Sequence, residues 1–380
     1  MAKNVSLLNN KIWLSSPHMS GHEEKYIKEA FNSNWIAPLG PNVNGFENDL
    51  ESYLENKVHV AALTTGTAAI HLALVLLNIK ENDEVICQTK TFAASVNPVT
   101  YLRAKPVFVD SEKDTWNMCP ELLEHTIKDR MKAGVKPKAI IIINLYGMPY
   151  KVKEINTISK KYNIPIVEDS AEALGSSYFD QKCGTFGDLS ILSFNGNKII
   201  TTSGGGALVS KNKETKAKII YLATQAKEPG IEYSHVTTGY NYRMSNILAG
   251  IGRGQMKVLD RHVEFRRKNY NYYLKHLDTI DDISFLNEPE GFYSNRWLTC
   301  IVLKTNQMRD DILKLLGEDN IEARPSWKPM HLQPVFNQYP KYLNGVSDDL
   351  YKKALCLPSG SNLTKIELNR ITKIIKQYFE

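Results

Sequence analysis

The feature that most constrains the fold is an alternation, from about Glu23 to Ser210, of short β-branched runs with helix-like stretches. Such an alternation is typical of an α/β domain whose mainly parallel sheet is covered by helices. We therefore expect a large α/β domain in the N-terminal part of the chain. The predicted strands are seven: Val58–Thr64, Glu84–Gln88, Pro106–Asp110, Lys138–Asn144, Pro165–Asp169, Leu189–Phe194 and Gly206–Ser210.

After Arg243 the pattern changes to longer helical stretches with fewer strands. This change predicts a division into a large domain of residues 1–250 and a smaller C-terminal α+β domain of residues 251–380. The hydrophobic spacing predicts these C-terminal elements: a helical region over Ser245–Leu277, a strand over Trp297–Leu303, a helix over Met308–Leu316 and an amphipathic helix over Lys365–Phe379.

Composition argues against several classes of protein. The formal charge of +6 over 380 residues is mild and spread out, which favours a solvated surface over nucleic-acid binding and is compatible with small anionic substrates. No apolar run reaches the roughly 18 residues of a membrane span. Residues Met1–Leu14 lack the apolar core of a signal peptide, so we expect a cytoplasmic protein. Five cysteines without metal-ligand spacing predict reduced thiols and no metal site.

In open α/β sheets, ligands bind beyond the carboxyl ends of the strands. One candidate there is the turn Thr64–Ala69, which leads from a predicted strand into a helix. Its free backbone N–H groups and the helix dipole favour a phosphate, with Gly66 allowing close approach and Thr67 adding a hydroxyl. The same residues are equally typical of a simple turn with a helix cap.

Two further candidates follow later strands. Asp169 ends an apolar strand, where a carboxylate can ion-pair with the nitrogen of a cofactor ring or merely cap the next loop. Lys198 follows a strand and a short polar loop and precedes a glycine-rich turn. A lysine amine there can form an imine with an aldehyde cofactor, and the neighbouring Ser193 hydroxyl can bind the cofactor's phosphate.

A fourth candidate is Phe92, in the segment Thr91–Ser95 after the strand that ends at Gln88. An aromatic ring in this place can stack on a flat cofactor. Taken by itself, however, Phe92 is better interpreted as a core residue.

Taken in order, these segments resemble the DegT-type nucleotide-sugar aminotransferases, a branch of the fold type I pyridoxal-phosphate (PLP) enzymes. The resemblance spans nearly the whole chain. It also includes these further segments: Ser16–Gly21, Trp35–Pro41, Gly239–Met244 and Lys328–Leu332. It implies the fold type I architecture, with PLP as cofactor and an aminotransferase activity.

The resemblance also implies individual roles. Lys198 would form the Schiff base and move the proton, Asp169 would hold the pyridine nitrogen and Phe92 would lie against the ring. Gly66, Thr67 and Ser193 would bind the phosphate, while Asn241 would reach the phosphate of the other subunit in a homodimer. Glu172, which stands where glutamine is frequent, would lie near the cofactor's hydroxyl. Arg243 and His331 are candidate contacts of the sugar nucleotide, with structural roles as the alternative.

Some relatives carry histidine in place of the lysine and perform dehydration, so Lys198 favours amino transfer. The stretch Phe194–Thr202 and the segment Pro17–Gly21 look most like enzymes of bacillosamine-type pathways. Those enzymes transfer an amino group from L-glutamate to C4 of UDP-2-acetamido-2,6-dideoxy-hexos-4-ulose. The alternatives are a C3 or C4 aminotransferase of a dTDP or GDP keto-sugar, and a non-catalytic PLP-binding protein.

Overall fold

The computed structural model describes residues 10–380, so most of the N-terminal segment Met1–Leu14 lies outside the described residues. A central sheet forms the core. Its strands are, in spatial order, His59–Leu63, Gly206–Ser210, Leu189–Ser193, Ile166–Asp169, Ala139–Ile143, Glu84–Gln88, Lys105–Val109 and Lys341–Tyr342. All neighbours pair in parallel except Gly206–Ser210, which is antiparallel to both of its partners.

The seven predicted strands are confirmed, with ends that differ by at most one residue. The eighth strand, Lys341–Tyr342, was not predicted because two polar or half-exposed residues carry no periodic signal. It extends the sheet edge by pairing with Phe108 and Val109. The central sheet is therefore completed by the C-terminal part of the chain, and the division at residue 250 stays a prediction.

Helices cover the sheet and form the remainder of the chain. They span Glu23–Asn32, Pro41–Tyr53, Gly66–Leu76, Asn97–Tyr101, Pro120–Lys132, Val152–Tyr162, Lys213–Ala223, Asn246–Met256, Leu259–Leu277, Asn306–Glu318, Val346–Lys353 and Lys365–Gln377. The predicted helical region Ser245–Leu277 is thus two helices with a break at Lys257 and Val258. Among residues 10–380, no helix combines the length and the apolar character that crossing a bilayer requires.

Two smaller sheets lie outside the central one. The larger contains, in spatial order, Ile283–Phe285, Thr299–Leu303, Ala354–Leu357 and Arg324–Pro325, all antiparallel. The smaller joins Phe292–Tyr293, Ser177–Tyr178 and Gln181–Lys182. The N-terminal segment runs beside the first of these sheets, because Ile12 bridges to Ile321 and the Ser359 amide donates to the Leu14 carbonyl.

Candidate active site

A cavity of about 460 Å³ lies beyond the carboxyl ends of the parallel strands. One side, here called the sheet wall, consists of residues at strand ends of the central sheet or in the segments next to those ends: Thr65–Thr67, Thr91, Phe92, Ala94, Ser95, Asp169, Ala171, Glu172, Ser193, Asn195, Asn197, Lys198, Gly204 and Gly205. The other side, the covering wall, consists of Leu14, Ser15, Trp297, Leu298, Glu322 and Trp327. Parallel strands place their ends at one edge, so residues far apart in sequence meet here.

The helix Gly66–Leu76 begins at the cavity. Thr65 caps it, since its hydroxyl oxygen accepts a hydrogen bond of 2.9 Å from the Ala68 amide. The first-turn amides of a helix are not used within the helix and attract anions. A Cβ atom at Gly66 would lie 3.3 Å from Ser193 Cβ and would fill the space between the helix and Ser193. This end of the cavity therefore suits a phosphate group held by Gly66, Thr67 and Ser193.

Asp169 is buried at the base of the cavity. Burial raises the pKa of its carboxyl group, while donation from Ser95 Oγ at 2.7 Å and from the Ala171 amide at 3.1 Å opposes that rise. Ser95 is itself hydrogen-bonded to Thr91 Oγ1 at 2.8 Å. The carboxylate is thus oriented on both oxygens, as a group that must hold a ring nitrogen in one place requires.

Lys198 lies beside Glu172, with Nζ 3.4 Å from Oε1. Its Nζ also lies 4.3 Å from the centre of the Trp297 ring. Glu172 is buried, which raises the pKa of its carboxyl group to about 7 against the opposing charge of Lys198 and the hydrogen bond from the Tyr146 amide. Glu172 can therefore gain or lose a proton near neutral pH, whereas a glutamine in its place could not.

Phe92 is 56% exposed and borders the cavity, so its interpretation as a core residue is wrong. Its ring centre lies 5.5 Å from that of Trp327 on the covering wall. The exposed face is available to a flat ligand, as the stacking role requires.

Three predicted site residues do not line this cavity. Asn241 is exposed on the surface, beside Tyr242, whose carbonyl accepts from the Thr64 amide. Arg243 is buried, with Nη1 2.5 Å from Glu47 Oε1 and 2.9 Å from the Ala62 carbonyl. These contacts engage its guanidinium within the protein.

His331 is likewise engaged within the protein. Its Nδ1 lies 2.7 Å from Thr89 Oγ1, and its Nε2 lies 3.0 Å from Asp348 Oδ1. Burial lowers the pKa of the imidazole, against the nearby charge of Asp348. The structure places His331 as a link between the segment after Gln88 and the helix Val346–Lys353.

Sequence reasoning missed the covering wall. Trp297 begins the predicted strand Trp297–Leu303 and was not a predicted site residue. Trp327 immediately precedes the segment Lys328–Leu332, which is part of the family resemblance. Glu322 fixes the wall at the other end, since its Oε2 accepts from the Leu14 amide at 3.1 Å. The sequence offers one signal for this wall: Trp327 is an aromatic residue directly before the segment Lys328–Leu332.

The groups that border this cavity fit PLP. A phosphate site at a helix N-terminus, an oriented carboxylate, a lysine amine and an exposed aromatic face all border one cavity. Among residues 10–380, no group of three or more His, Cys, Asp or Glu side chains is arranged to hold a metal ion.

The sequence profile of the DegT/DnrJ/EryC1/StrS aminotransferase family matches residues 17–376. EpsN of Bacillus subtilis (strain 168), whose name provisionally describes a pyridoxal phosphate-dependent aminotransferase, is 50% identical, with 98% of this chain and 97% of the relative covered. GDP-perosamine synthase of Escherichia coli O157:H7 is 34% identical, with 96% and 97% covered. The UDP-4-amino-4,6-dideoxy-N-acetyl-beta-L-altrosamine transaminase of Campylobacter jejuni (strain 81-176) is 33% identical, with 84% and 85% covered.

Solved structures agree with this match. A DegT DnrJ EryC1 StrS aminotransferase from Brucella abortus has a TM-score of 0.88 at 28% identity, covering 94% of this chain and 95% of its own. The PLP form of Spr1654 from Streptococcus pneumoniae, named provisionally as a sugar aminotransferase, has a TM-score of 0.89 at 26% identity, covering 97% and 98%. The predicted fold class is thus confirmed.

Proposed function

The chain belongs to the DegT/DnrJ/EryC1/StrS family of PLP-dependent aminotransferases, and from this premise we propose its reaction. It transfers an amino group from L-glutamate to C4 of a nucleotide-linked 4-keto-6-deoxy sugar, UDP-2-acetamido-2,6-dideoxy-hexos-4-ulose. The observation that carries the proposal is the meeting of Lys198, Asp169 and Glu172 with a phosphate-binding helix end in one cavity.

Bound PLP supplies an aldehyde that accepts the amino group and a protonated ring that withdraws electrons from the reacting carbon. The residues of this chain do the rest. Asp169 keeps the ring nitrogen protonated by an ion pair. Gly66, Thr67 and Ser193 hold the phosphate, and Phe92 lies against the ring. Lys198 carries the cofactor and then, as a free amine, moves a proton to and from the reacting carbon.

The UDP-sugar assignment is supported by the two segments that look most like C4 aminotransferases of this substrate. The two segments lie next to each other: a Cβ atom at Gly196 would lie 4.0 Å from Pro17 Cγ, and Ser15 Oγ, two residues before Pro17, donates to the Asn197 carbonyl at 2.7 Å. Ser15, Asn195 and Asn197 all line the cavity. A GDP keto-sugar is the second candidate, because the GDP-perosamine synthase of Escherichia coli covers nearly the whole chain.

A substrate panel tests the reaction. Enzyme preloaded with L-glutamate and freed of excess donor is mixed separately with UDP, dTDP and GDP keto-sugars, and the aminated product is measured by mass spectrometry. We expect turnover with the UDP sugar and release of 2-oxoglutarate during preloading. Preference for a GDP or dTDP sugar rejects the substrate, and the absence of 2-oxoglutarate rejects the donor.

Borohydride reduction and peptide mapping test the cofactor lysine. We expect the label on Lys198. Lys90 is the informative alternative, because it is fully buried and lies in the segment that leads to Phe92. A label on Lys90 or on any other lysine overturns the site.

The proposal includes a homodimer in which Asn241 completes the partner's phosphate site. Asn241 is exposed and lies outside its own chain's cavity. The nearby loop carries exposed Ile231, Tyr233 and Val236, which an interface would cover. Mixing inactive Lys198→Ala protein with an inactive Asn241→Ala variant should restore activity, since half of the sites in hybrid dimers are intact. No recovery after demonstrated subunit exchange rejects the shared site.

The proposal also keeps the cytoplasmic location and the two domains, residues 1–250 and 251–380. The location rests on the sequence of the N-terminal segment, and the domains rest on the change from the central sheet to the four-stranded antiparallel one. Cell fractionation tests the first. Limited proteolysis tests the second, with cleavage at the break of Lys257 and Val258, just after the helix Asn246–Met256, as the expected result.

A further inference from the structure

The two side chains around Lys198 Nζ come from distant parts of the chain. Trp297 presents its ring at 4.3 Å, and Glu172 Oε1 lies at 3.4 Å. The Lys198 side chain is only 12% exposed. An ammonium between an aromatic face and a carboxylate, largely out of water, is held by cation–π and ionic attraction together.

Trp297 is itself fixed in place. Its Nε1 donates to the Asn197 carbonyl at 2.7 Å, so the indole also holds the backbone next to Lys198. The Trp297 carbonyl accepts from the buried Arg266 at 2.5 Å. Trp297 is 2% exposed, so its ring cannot turn away without breaking the Nε1 hydrogen bond and disturbing the surrounding packing.

Asn295 connects the backbone of Trp297 to the backbone of Glu172. Its Oδ1 accepts from the Trp297 amide at 2.9 Å, while its Nδ2 donates to the Glu172 carbonyl at 2.8 Å. Asn295 is fully buried, and its Oδ1 would lie only 2.0 Å from a Cβ at Gly147, whose φ is +89°. The chain thus leaves room at Gly147 for the side chain that joins both partners of Lys198.

We propose that Trp297 and Glu172, joined by Asn295, form the resting position of the Lys198 amine whenever it is free of the cofactor. This inference rests on the proposed function, because the role of Lys198 there requires the amine to be released in part of each cycle. Trp297 is a positioning residue: it keeps the released amine beside Glu172, in the cavity that would hold the cofactor.

The first test measures the reactivity of the free amine. Enzyme is treated with excess L-glutamate, which frees Lys198 while the cofactor stays bound, and loss of borohydride labelling verifies the release. A short pulse of an acylating reagent at pH 7 is then mapped by mass spectrometry. Loss of the aromatic face in Trp297→Leu should speed acylation of Lys198 about three- to tenfold, because the cation–π attraction that holds the amine in the resting position is lost. Trp297→Phe should have a smaller effect.

Two control variants test whether faster acylation comes from loss of the Trp297 contact or from easier access of the reagent to Lys198. Trp13 is 51% exposed, and Lys11 Nζ lies 3.7 Å from the centre of its ring, yet it does not line the cavity. Trp13→Leu should leave acylation of Lys198 unchanged. Leu298→Ala opens the cavity beside Trp297 but keeps the ring. If Leu298→Ala speeds acylation as much as Trp297→Leu, access alone explains the result and the resting position is rejected.

A second readout is the isotope effect with Cα-deuterated glutamate. A misplaced amine slows proton transfer, so Trp297→Leu should raise the isotope effect on kcat and leave KM for glutamate within about twofold. A lower kcat with an unchanged isotope effect contradicts the inference.

If glutamate fails to free Lys198, the donor is wrong but the resting position is still testable. The cofactor is then removed with hydroxylamine and the acylation experiment is repeated on the folded protein. Equal rates in the wild type and Trp297→Leu reject the inference in that case too.

Discussion

The two walls of the cavity differ in what they contribute and in how they are held. The sheet wall carries the titratable groups to which the proposed reaction assigns charge and proton transfer, Asp169, Glu172 and Lys198. The covering wall contributes two tryptophans and one carboxylate, Glu322. Strand ends position the first wall, whereas side-chain hydrogen bonds between distant segments position the second. Chemistry and placement are thus assigned to different parts of the fold.

Buried cations anchor the covering wall. Lys90 is completely buried, and its Nζ donates to Ser326 Oγ at 2.9 Å and to the Trp327 carbonyl at 2.8 Å. Burial lowers the pKa of its amine to about 8. Trp327 continues the connection, because its amide donates to Tyr146 Oη at 2.9 Å and the Tyr146 amide donates to Glu172. Hydrogen bonds of Tyr146 therefore connect the covering wall to the sheet wall.

The largest expected effect belongs to the sheet wall. Asp169→Asn removes the charge that keeps the ring protonated but retains the shape, so kcat should fall by about 100-fold or more while the cofactor stays bound. Steady-state kinetics and the cofactor absorbance measure this. Asp188→Asn is the control: Asp188 is exposed and accepts from the Ile166 amide at the opposite end of the same strand. Near-normal turnover in Asp169→Asn would place the proton-holding group elsewhere.

The next effect is the pH dependence of the unfolding free energy, which should differ between a carboxyl group of the sheet wall and one of the covering wall. The folded pKa of Glu172 is raised from 4.5 to about 7, chiefly by burial. Its contribution to stability is therefore fully present below pH 4.5 and lost as the pH rises through 7. Glu172→Gln lacks this loss, so the unfolding free energy of the variant relative to the wild type should rise by about 3 kcal/mol between pH 4.5 and 8.

Urea unfolding of the cofactor-free protein at several pH values measures this difference. Glu322→Gln serves as the comparison from the covering wall, because the pKa of Glu322 is lowered, with the Leu14 amide and Arg324 outweighing burial. Its contribution is present above pH 4.5 and lost as the pH falls. The two variants should therefore diverge in opposite directions, and parallel curves would show that the two carboxyl groups have similar surroundings.

A smaller effect is expected at the anchor of the covering wall. Lys90→Met keeps the volume but leaves the Trp327 carbonyl and Ser326 Oγ without their donor, which should cost about 1 to 3 kcal/mol of unfolding free energy at pH 7. Lys105→Met, at an exposed position on a neighbouring strand, should change it by less than about 0.5 kcal/mol. A stabilised Lys90→Met protein would mean that the cost of burying the ammonium exceeds the value of its hydrogen bonds.

The same contrast explains how much the sequence could predict. The strands Glu84–Gln88 and Gly206–Ser210 were predicted to the residue, because in each a short apolar run, Val85–Cys87 or Ala207–Val209, is bounded on both sides by polar or glycine residues. Gly66, Asp169, Ser193 and Lys198 follow such strands, so their meeting at one cavity could be predicted too.

The covering wall could not be predicted in this way. Trp297 and Trp327 are 30 residues apart in sequence, and their positions depend on Asn295, Arg266 and Lys90, which act through single hydrogen bonds. Such contacts leave no periodicity in the sequence. For the same reason, Arg243 and His331 were candidates for the substrate site, although the structure engages both within the protein.

The smallest expected effect tests whether the two walls are independent. Phe92 on the sheet wall and Trp327 on the covering wall have ring centres 5.5 Å apart with planes tilted by 48°. Because Phe92 is 56% exposed, a double-mutant cycle of Phe92→Leu and Trp327→Leu in the cofactor-free protein should give a coupling energy of only about 0.5 kcal/mol. The buried pair Phe108 and Phe336, at 5.9 Å, offers a matched cycle, for which we expect about 1 kcal/mol. A Phe92–Trp327 coupling as large as that of the buried pair would mean that the walls pack as one unit, and the distinction between them would then apply only to their chemistry.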